Sequence, residues 1–542
     1  MDTKNVLTAI ILSTIIIVGW QVLVVDPEIK KEQAKIEKTI QTKPTTGKPS
    51  APSLNKKIQV QEKKVSRQEA LLTDQRVKLD NAKITGSISL VGALIDDVTL
   101  KNYQESLDEN SKQVVILNPK KINKGYYLES GWASANNVNV PDNNSVWKLT
   151  RNRTLTPRTP IELEWDNQNG LVFTKKIEID DQYLFSITES IKNNSKANVD
   201  LFHYSQITRK EKPQIQDFYI LHEGLVGVID ESLQEEDYDD IKDKNQKYQG
   251  TSGWLGITDK YWLTAIVPQK KQSFNAEFIY DTAYKANYIL TNPTSIPSGK
   301  TNSSSSQFFI GAKEVKAIDG YAESANINKF DLAIDWGWFY FFTKPLFFII
   351  DYLYNFSGNF GWAIVLLTAG IRILFFPLAN YSFASMAKMK ALQPEMARMK
   401  DLYKDDKQKI QTEMMGLYRK EKINPVSGCL PMLIQIPFFF AIYKMLFVTL
   451  EMRHAPFFGW ITDLSSKDPY YIYPVLMGIS MALQQKITPN PSMDPMQKKM
   501  MMIMPVVFTF IMSSLPSGLT LYIFVSTLLG MGQQYMNMRE KD

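Results

Sequence analysis

The sequence predicts two architectures in one chain: an α-helical polytopic membrane bundle of six transmembrane helices, five of them gathered at the C-terminal end, and a large all-β sandwich domain between the first span and the rest. Three observations carry that expectation. Val6 to Val25 is an uninterrupted uncharged run, long enough at about 1.5 Å per residue to cross a hydrocarbon core of ~30 Å. From about Ile84 the chain alternates apolar and polar residues with a period of two, the pattern of half-buried strands. Residues 330–540 turn to Phe, Ile, Leu and Met, so the mean hydropathy of −0.21 averages a polar half with an apolar one.

The first span follows Lys4 and ends VLVVDPE, without the small residues of an A-x-A-like cleavage site. Residues 1–27 therefore read as an uncleaved anchor, not a signal peptide. Residues 28–75 are rich in Lys, Glu, Gln and Thr, with Pro44, Pro49 and Pro52. They hold too little apolar surface to offset ordering entropy and read as a flexible tether. The β-sandwich, 76–320, opens with KITGSISLVGALIDDVTL, where Ile84, Ile88, Leu90 and Leu94 fall at even spacing. PIELEW, GLVFTKKIEI, QYLFSITESI and DLFHYSQIT continue it, with turn residues between them. Pro293, Pro297 and the serines 303–306 mark expected loops near its end.

Phe330 to Phe356 is strongly aromatic, is interrupted by Asp331, Asp335, Lys344 and Asp351, and holds Pro345, which is expected to kink a helix. Trp and Tyr favour the headgroup level, so 330–356 is expected as an amphipathic helix lying in the outer interface. The alternative is a buried core segment of the β domain. Residues 357–542 then hold five spans, at about 359–379, 430–450, 470–486, 499–514 and 517–536, the last two separated by the tight turn SLPSG.

Loop 380–428, between the first two of these, is dense in lysine and arginine from Lys388 to Lys422. Loop 451–469 carries only Arg453 and Lys467, with Glu451, Asp463 and Asp468. The positive-inside rule makes the first loop cytoplasmic and the second external. Counting back, the β domain is external and both termini are internal, in agreement with Lys4, in a membrane crossed several times.

The totals exclude other classes. A net charge of +6 over 542 residues is mild, and the one dense basic segment lies between two apolar runs, where a cytoplasmic loop is a better reading than a nucleic-acid surface. A single cysteine, Cys429, rules out an intramolecular disulfide. SGKT at 298–301 fails as a P-loop, because Thr294 holds the first glycine position and prolines flank it. No nucleotide, metal or other cofactor is expected.

The span GWAIVLLTAGIRILFFPL contains one permanent cation, Arg372. A charge inside a bilayer costs a few kcal/mol. Arg372 lies six residues before Leu378, roughly 9 Å from the inner end at helical rise. It either snorkels to the cytoplasmic headgroups or faces a water-filled pocket open to the cytoplasm. Polar neighbours favour the pocket. Thr368 lies one turn away on the same face, Gln435 lies between Pro431 and Pro437, Gln484 and Gln485 end another span, and Thr520, Ser526 and Gln533 lie in the last. Lys444, near the outer end of its span, is expected to snorkel outward. AKMKALQPEMARMKDL and QKIQTEMMGLYRKE have helical spacing, so the basic loop reads as a two-helix hairpin. Its methionine stripe is either the seam between the helices or an adaptable surface for partners.

SMAKMKALQPEM, DDKQKIQTEMMGLYRKEKINPVSGCLPMLIQIPFFFAIY, DPYYIYPVLMG, DPMQKKMMMIMPVVFTF and PSGLTLYIFVS resemble the membrane core of the YidC family of membrane protein insertases. The first span, tether and β domain match the Gram-negative form in order and size. The resemblance implies a non-enzymatic insertase and chaperone with a hydrophilic inner-leaflet groove, closed toward the periplasm, whose arginine matches Arg372. It implies an apolar slide on the third and fifth spans, with Gln435, Ile436, Pro437 and Phe439 lining the third and Met477 and Ile511 completing it. Thr368 and Tyr522 match groove positions, while Ile523 stands where a second tyrosine is expected. The partners implied are nascent membrane proteins, the Sec translocon, membrane lipids, and ribosomes or targeting factors at 383–421.

Two rival readings follow from the residues. A transporter could use Arg372 as an anion site, but no paired inverted repeat is visible. A carbohydrate-active β domain could stack sugars on Trp132, Trp165 and Trp254, with His203 and His222 as its only histidines. Core or edge packing is the expectation for these residues.

Overall fold

The computed structural model describes residues 65–213, 221–403, 406–421, 430–487 and 495–539. The anchor expected at 1–27, the tether as far as residue 64 and the end of the basic loop at 422–428 lie outside the described residues.

Two sheets make the β region. The eleven-stranded sheet runs in the order Gln246–Gly250, Phe274–Tyr280, Tyr284–Leu290, Val199–Arg209, Tyr126–Ser134, Ile95–Gln104, Ile84–Ser89, Arg76–Asp80, Thr154–Leu155, with Gln113–Leu117 and Thr294–Ile296 paired beside it. The nine-stranded sheet runs Ser232–Asp237, Gly224–Ile229, Gly253–Thr258, Trp262–Val267, Thr301–Ala312, Leu184–Asn193, Leu171–Ile179, Ile161–Asp166, Lys148–Arg151. In LVFTKKIEI every second residue is buried along the whole strand, so Leu171, Phe173, Lys175, Ile177 and Ile179 share the inner face. KITGSISLVGALIDDVTL divides into two antiparallel strands with a bulge at Ser87/Ile88 and a turn at Gly92, whose φ of 74° suits glycine.

One inner-face position of the strand Leu171–Ile179 is charged. Lys175 Nζ lies 2.9 Å from the Glu189 carboxylate and donates to the Ser130 carbonyl at 2.8 Å. His203 Nε2 lies 3.0 Å from the same carboxylate. Burial opposes ionisation of Glu189, yet Lys175 and His203 hold it down to about 2.

Several expectations are corrected. The serines 303–306 are no loop: they lie within the strand Thr301–Ala312, paired on one side with Leu184–Asn193, and Ser304 and Ser306 are buried. The residues expected as tether end in a helix, α1 (Arg67–Thr73), which Ser66 caps through a reciprocal bond with Glu69. Two more helices belong to the β region, α2 (Tyr238–Asp243) and α3 (Val315–Ser324).

The apolar half is mainly helical: α4 (Tyr340–Ser357), α5 (Phe360–Leu374), α6 (Phe376–Ala391), α7 (Gln393–Leu402), α8 (Lys407–Lys420), α9 (Leu430–Val448), α10 (Ile472–Ile487), α11 (Pro495–Met512) and α12 (Ser517–Arg539), with an irregular stretch between α9 and α10. Helix α4 continues through Pro345 and ends at Gly358 with φ 69°. The two ends of the segment 330–356 differ in burial. Phe330 and Trp336 are buried, with Phe330 edge-on to Trp254 and Phe309, whereas α4 exposes Tyr340, Phe341, Phe348, Ile349, Tyr352 and Phe356.

Among the described residues no single helix is long and apolar enough to cross a membrane by itself. The span expected at 359–379 is broken: Phe360–Leu374 and Phe376–Met389 meet at 60°, and only the pair reaches that length and composition. Gln435–Val448 and Lys499–Met512 are shorter apolar helices.

The β region meets the helices through polar contacts. Val315 N–H, at the start of α3, donates to Glu451 Oε1 at 3.1 Å, and Arg453 donates to the Gln104 carbonyl at 2.6 Å. Lys344 on α4 pairs with Asp319 and Asp331 at 2.9 and 3.1 Å. Lys260 lies 3.8 Å from the centre of the Phe447 ring, and burial pushes its ammonium down to about 8. Burial pushes the Glu451 carboxyl up to about 7, with Glu314 and Asp351 adding repulsion.

Two outcomes are expected. Lys175→Ala leaves Glu189 buried without its main partner and lowers stability of the β region by about 3–5 kcal/mol, read as urea-dependent proteolysis within residues 76–320 of the full-length protein. Between its ordinary value of 4.5 and about 7, the folded protein holds a proton on Glu451 that the unfolded chain releases. Its contribution to stability therefore falls as pH rises through that window. Glu451→Gln removes that component from the pH dependence of thermal unfolding, relative to the parent protein.

Candidate functional site

Arg372 occupies the last turn of α5, just before the break at Phe375, where the helix C-terminus favours a cation. Its side chain turns toward α12. Nη2 donates to Ser526 Oγ at 2.8 Å and Nε at 3.2 Å. Gln435 Nε2, from α9, approaches the same hydroxyl at 3.4 Å. A guanidinium carries five N–H donors and a serine hydroxyl two lone pairs, so Ser526 leaves most of the cation's capacity unused. Among the described residues no carboxylate lies within ion-pair distance of Arg372. Gly530 makes room for it: a Cβ there would stand 3.3 Å from Arg372 Nη2 and 3.3 Å from Gln484 Nε2.

The polar lining extends along α12 and α6. Gln533 Nε2 donates to the Phe376 carbonyl at 3.0 Å and to Asn380 Oδ1 at 2.8 Å. Ser382, Ser385, Ser526, Thr527, Gln533 and Gln534 are all buried. On the adjacent pair, Gln485 Nε2 donates to the Met501 carbonyl at 2.9 Å. Five helices, α5, α6, α9, α10 and α12, thus bring a cation, amides and hydroxyls together in an otherwise apolar bundle, an arrangement able to receive an anionic or strongly hydrogen-bonding group.

The site residues expected from sequence divide into three groups. Arg372, Gln435 and Tyr522 come together, with Tyr522 buried beside the other two. Thr368 is near in sequence, but its hydroxyl donates to the Ile364 carbonyl at 2.6 Å on its own helix. Ile436 and Ile511 are 43% and 50% exposed, Pro437 and Phe439 are half-buried, and Met477 is fully buried in α10 rather than on an outer face. Asn380, Ser382, Ser385 and Gly530 were not singled out in sequence. Their signal was NYSFAS, two serines three apart following the apolar run, and a glycine on the Ser526 face of the last helix.

Lys444 does not reach outward to headgroups. Its ammonium pairs with Asp335 at 2.6 Å, because the chain before α4 brings a carboxylate to the helix. The methionine stripe of the basic loop is largely a seam: Met396, Leu417 and Tyr418 are buried, with Met389, Met399 and Met414 packed against them. Tyr418 Oη lies 3.6 Å from Met396 Sδ. On the opposite end, Asp463 accepts from His454 N–H, Ser465 and Ser466, and Asp468 accepts from Trp460 Nε1 at 3.0 Å and from Tyr473 N–H at 2.8 Å. The loop 451–469 is therefore fastened over that end of the bundle.

In the β region Trp132 and Trp254 are buried, packed edge-on to His203 and Phe330. Neither face is available to a sugar. SGKT leads through a turn into the strand Thr301–Ala312, not into a helix N-terminus.

Comparison with known proteins assigns the two halves. Residues 76–349 match the family described as the YidC periplasmic domain, and residues 352–542 match the family described as the 60Kd inner membrane protein. The chain belongs to the YidC family. A relative from Pelagibacter ubique named Membrane protein insertase YidC is 46% identical, covering 100% of this chain and 99% of its own. Its counterpart in Bradyrhizobium diazoefficiens is 41% identical, covering 99% and 96%. A solved structure of an active YidC insertase, 18% identical, covers 85% of this chain and 93% of its own at a TM-score of 0.37. The junction between the two YidC matches falls within α4, and the Asp335–Lys444 pair ties one matched part to the other.

Proposed function

We propose that this protein is a membrane protein insertase and membrane chaperone of the bacterial inner membrane, acting on nascent membrane proteins without nucleotide or cofactor. One observation carries the reading most directly: Arg372 is a cation without a carboxylate partner among the described residues, set among buried hydroxyls and amides in an apolar bundle. Such a group lowers the barrier for a polar or acidic flank entering the inner leaflet, since it replaces part of the hydration that the flank gives up.

The apolar segment behind that flank leaves along the exposed side chains of Ile436 and Ile511, with Pro437 and Phe439 beside the path. The work comes from apolar transfer, about 0.8 kcal/mol per buried CH₂. Gln435, Tyr522 and Thr368 belong to the groove, and Met477 supports the slide from within. The domain plan is an anchor at 1–27, a tether to about 65, a periplasmic β domain, an interfacial helix within 330–356 and an insertase core at 357–542 with five spans. Both termini face the cytoplasm. The basic hairpin within 380–428 receives ribosomes or targeting factors, and the β domain serves as a scaffold that docks the Sec translocon.

Two experiments test the reading. Arg372→Lys keeps the charge and is expected to retain much of the insertion activity, whereas Arg372→Ala and Arg372→Glu lose it for substrates with acidic translocated flanks and lose less for matched neutral ones. The measurement is insertion at equal protein levels, and a silent Ala variant overturns the groove. Deletion of residues 383–421 is expected to abolish insertion while the protein stays folded in the membrane; undiminished insertion removes the hairpin from the mechanism.

A further inference from the structure

Away from Arg372, a cavity of about 1130 Å³ lies where the β region meets α9. Its membrane-side wall is one face of that helix. Ile436, Phe440, Tyr443 and Lys444 follow the i, i+4, i+7, i+8 spacing and cover about 12 Å along the axis. The first two are exposed apolar side chains. Phe339 stacks on Phe440 with ring centres 6.4 Å apart, and Trp338, which also lines the space, is 95% exposed.

The other end of the cavity is acidic and comes from the β region. Six carboxylates line it against two lysines. Lys444 is engaged by Asp335 at 2.6 Å, Lys212 by Asp239 at 2.8 Å, and His222 Nδ1 lies 3.2 Å from Asp237. Glu235 and Asp240 have no ion-pair partner among the described residues. Glu235 stands with Leu233 and Asp237 on the exposed side of Ser232–Asp237, the edge strand of its sheet.

We infer that this cavity holds an amine-headed phospholipid of the outer leaflet, its acyl chain along Ile436 and Phe440 and its ammonium at Glu235 and Asp240 under the aromatic rim. An ammonium satisfies carboxylates through charge-assisted hydrogen bonds and is drawn to the faces of Trp and Tyr. The excess of carboxylates disfavours lipids with net negative charge. It also disfavours the acidic translocated flanks that the Arg372 reading selects, so a passing substrate fits this end poorly. The lipid would stand between the β region and α9 and couple their separation to the occupancy of the outer leaflet.

The inference rests on α9 spanning the bilayer with the β region outside, which membrane fractionation and protease protection of the full-length protein report separately. The test places that protein in nanodiscs with equal phosphatidylethanolamine and phosphatidylglycerol and counts retained lipid by native mass spectrometry. Phosphatidylethanolamine is expected to be retained in preference, and Glu235→Gln with Asp240→Asn to reduce that preference about tenfold. A photo-crosslinker at Leu233 is expected to capture phosphatidylethanolamine whether or not an inserting chain is present. Equal retention of the two lipids overturns the proposal, as does loss of the lipid crosslink in favour of the inserting chain. A preference unmoved by the paired substitution likewise overturns it, provided the variant still fractionates with the membrane.

Discussion

A guanidinium cannot shed its charge, so an apolar helix that carries one must meet it with other groups. In this protein the response is spread over four helices. Ser526 gives Arg372 its direct hydrogen bonds, Gln435 shares that hydroxyl, and Gly530 yields the space where Arg372 and Gln484 both approach α12. Each of those residues is unremarkable in its own segment. Together they keep that part of the bundle polar, and the close approach of α5 to α12 depends on a glycine where most helices carry a side chain. The break at Phe375 follows the same logic, since the chain turns by 60° immediately after the charged turn and carries the polar face onward along α6.

The two ends of the bundle solve opposite problems. Toward the Arg372 end, buried hydroxyls and amides gather around a single cation. Toward the other end, Asp463 and Asp468 each collect several donors and fasten a short loop over the helices. The β region adds its own contacts at that second end through Val315, Arg453 and Lys344. The two ends of the bundle therefore differ in how they satisfy their polar groups.

Much of the architecture was legible in the sequence because it rests on local periodicity. LVFTKKIEI buries alternate residues from Leu171 to Ile179, and the expected helices at 430–450, 470–486 and 517–536 begin and end within a few residues of α9, α10 and α12. What sequence could not give are pairings between distant segments. Arg372 and Ser526 lie 154 positions apart, and nothing in either segment specifies the other. Lys444 looked like a residue reaching for headgroups because Asp335 sits in an aromatic stretch that gave no sign of folding onto α9. The serines 303–306 read as a loop by composition, and pairing with Leu184–Asn193 along one side overrode that preference. Lys175 hid in an alternating pattern whose inner row is otherwise apolar, and only the facing Glu189 explains a lysine there.

The Asp335–Lys444 pair also bears on how the two halves of the family can be exchanged. Asp335 lies within the part matched as periplasmic domain and Lys444 within the part matched as inner-membrane protein, while the match boundary falls in α4 between them. A graft cut at that boundary, carrying a relative's β region onto this helical core, keeps the pair only if the donor supplies the acid. Without it, Lys444 loses that carboxylate on the α9 face that lines the cavity, and the seam loses one of its polar contacts. The unit of modular exchange is therefore not the domain as a sequence alignment draws it, but the domain together with the lysine it holds.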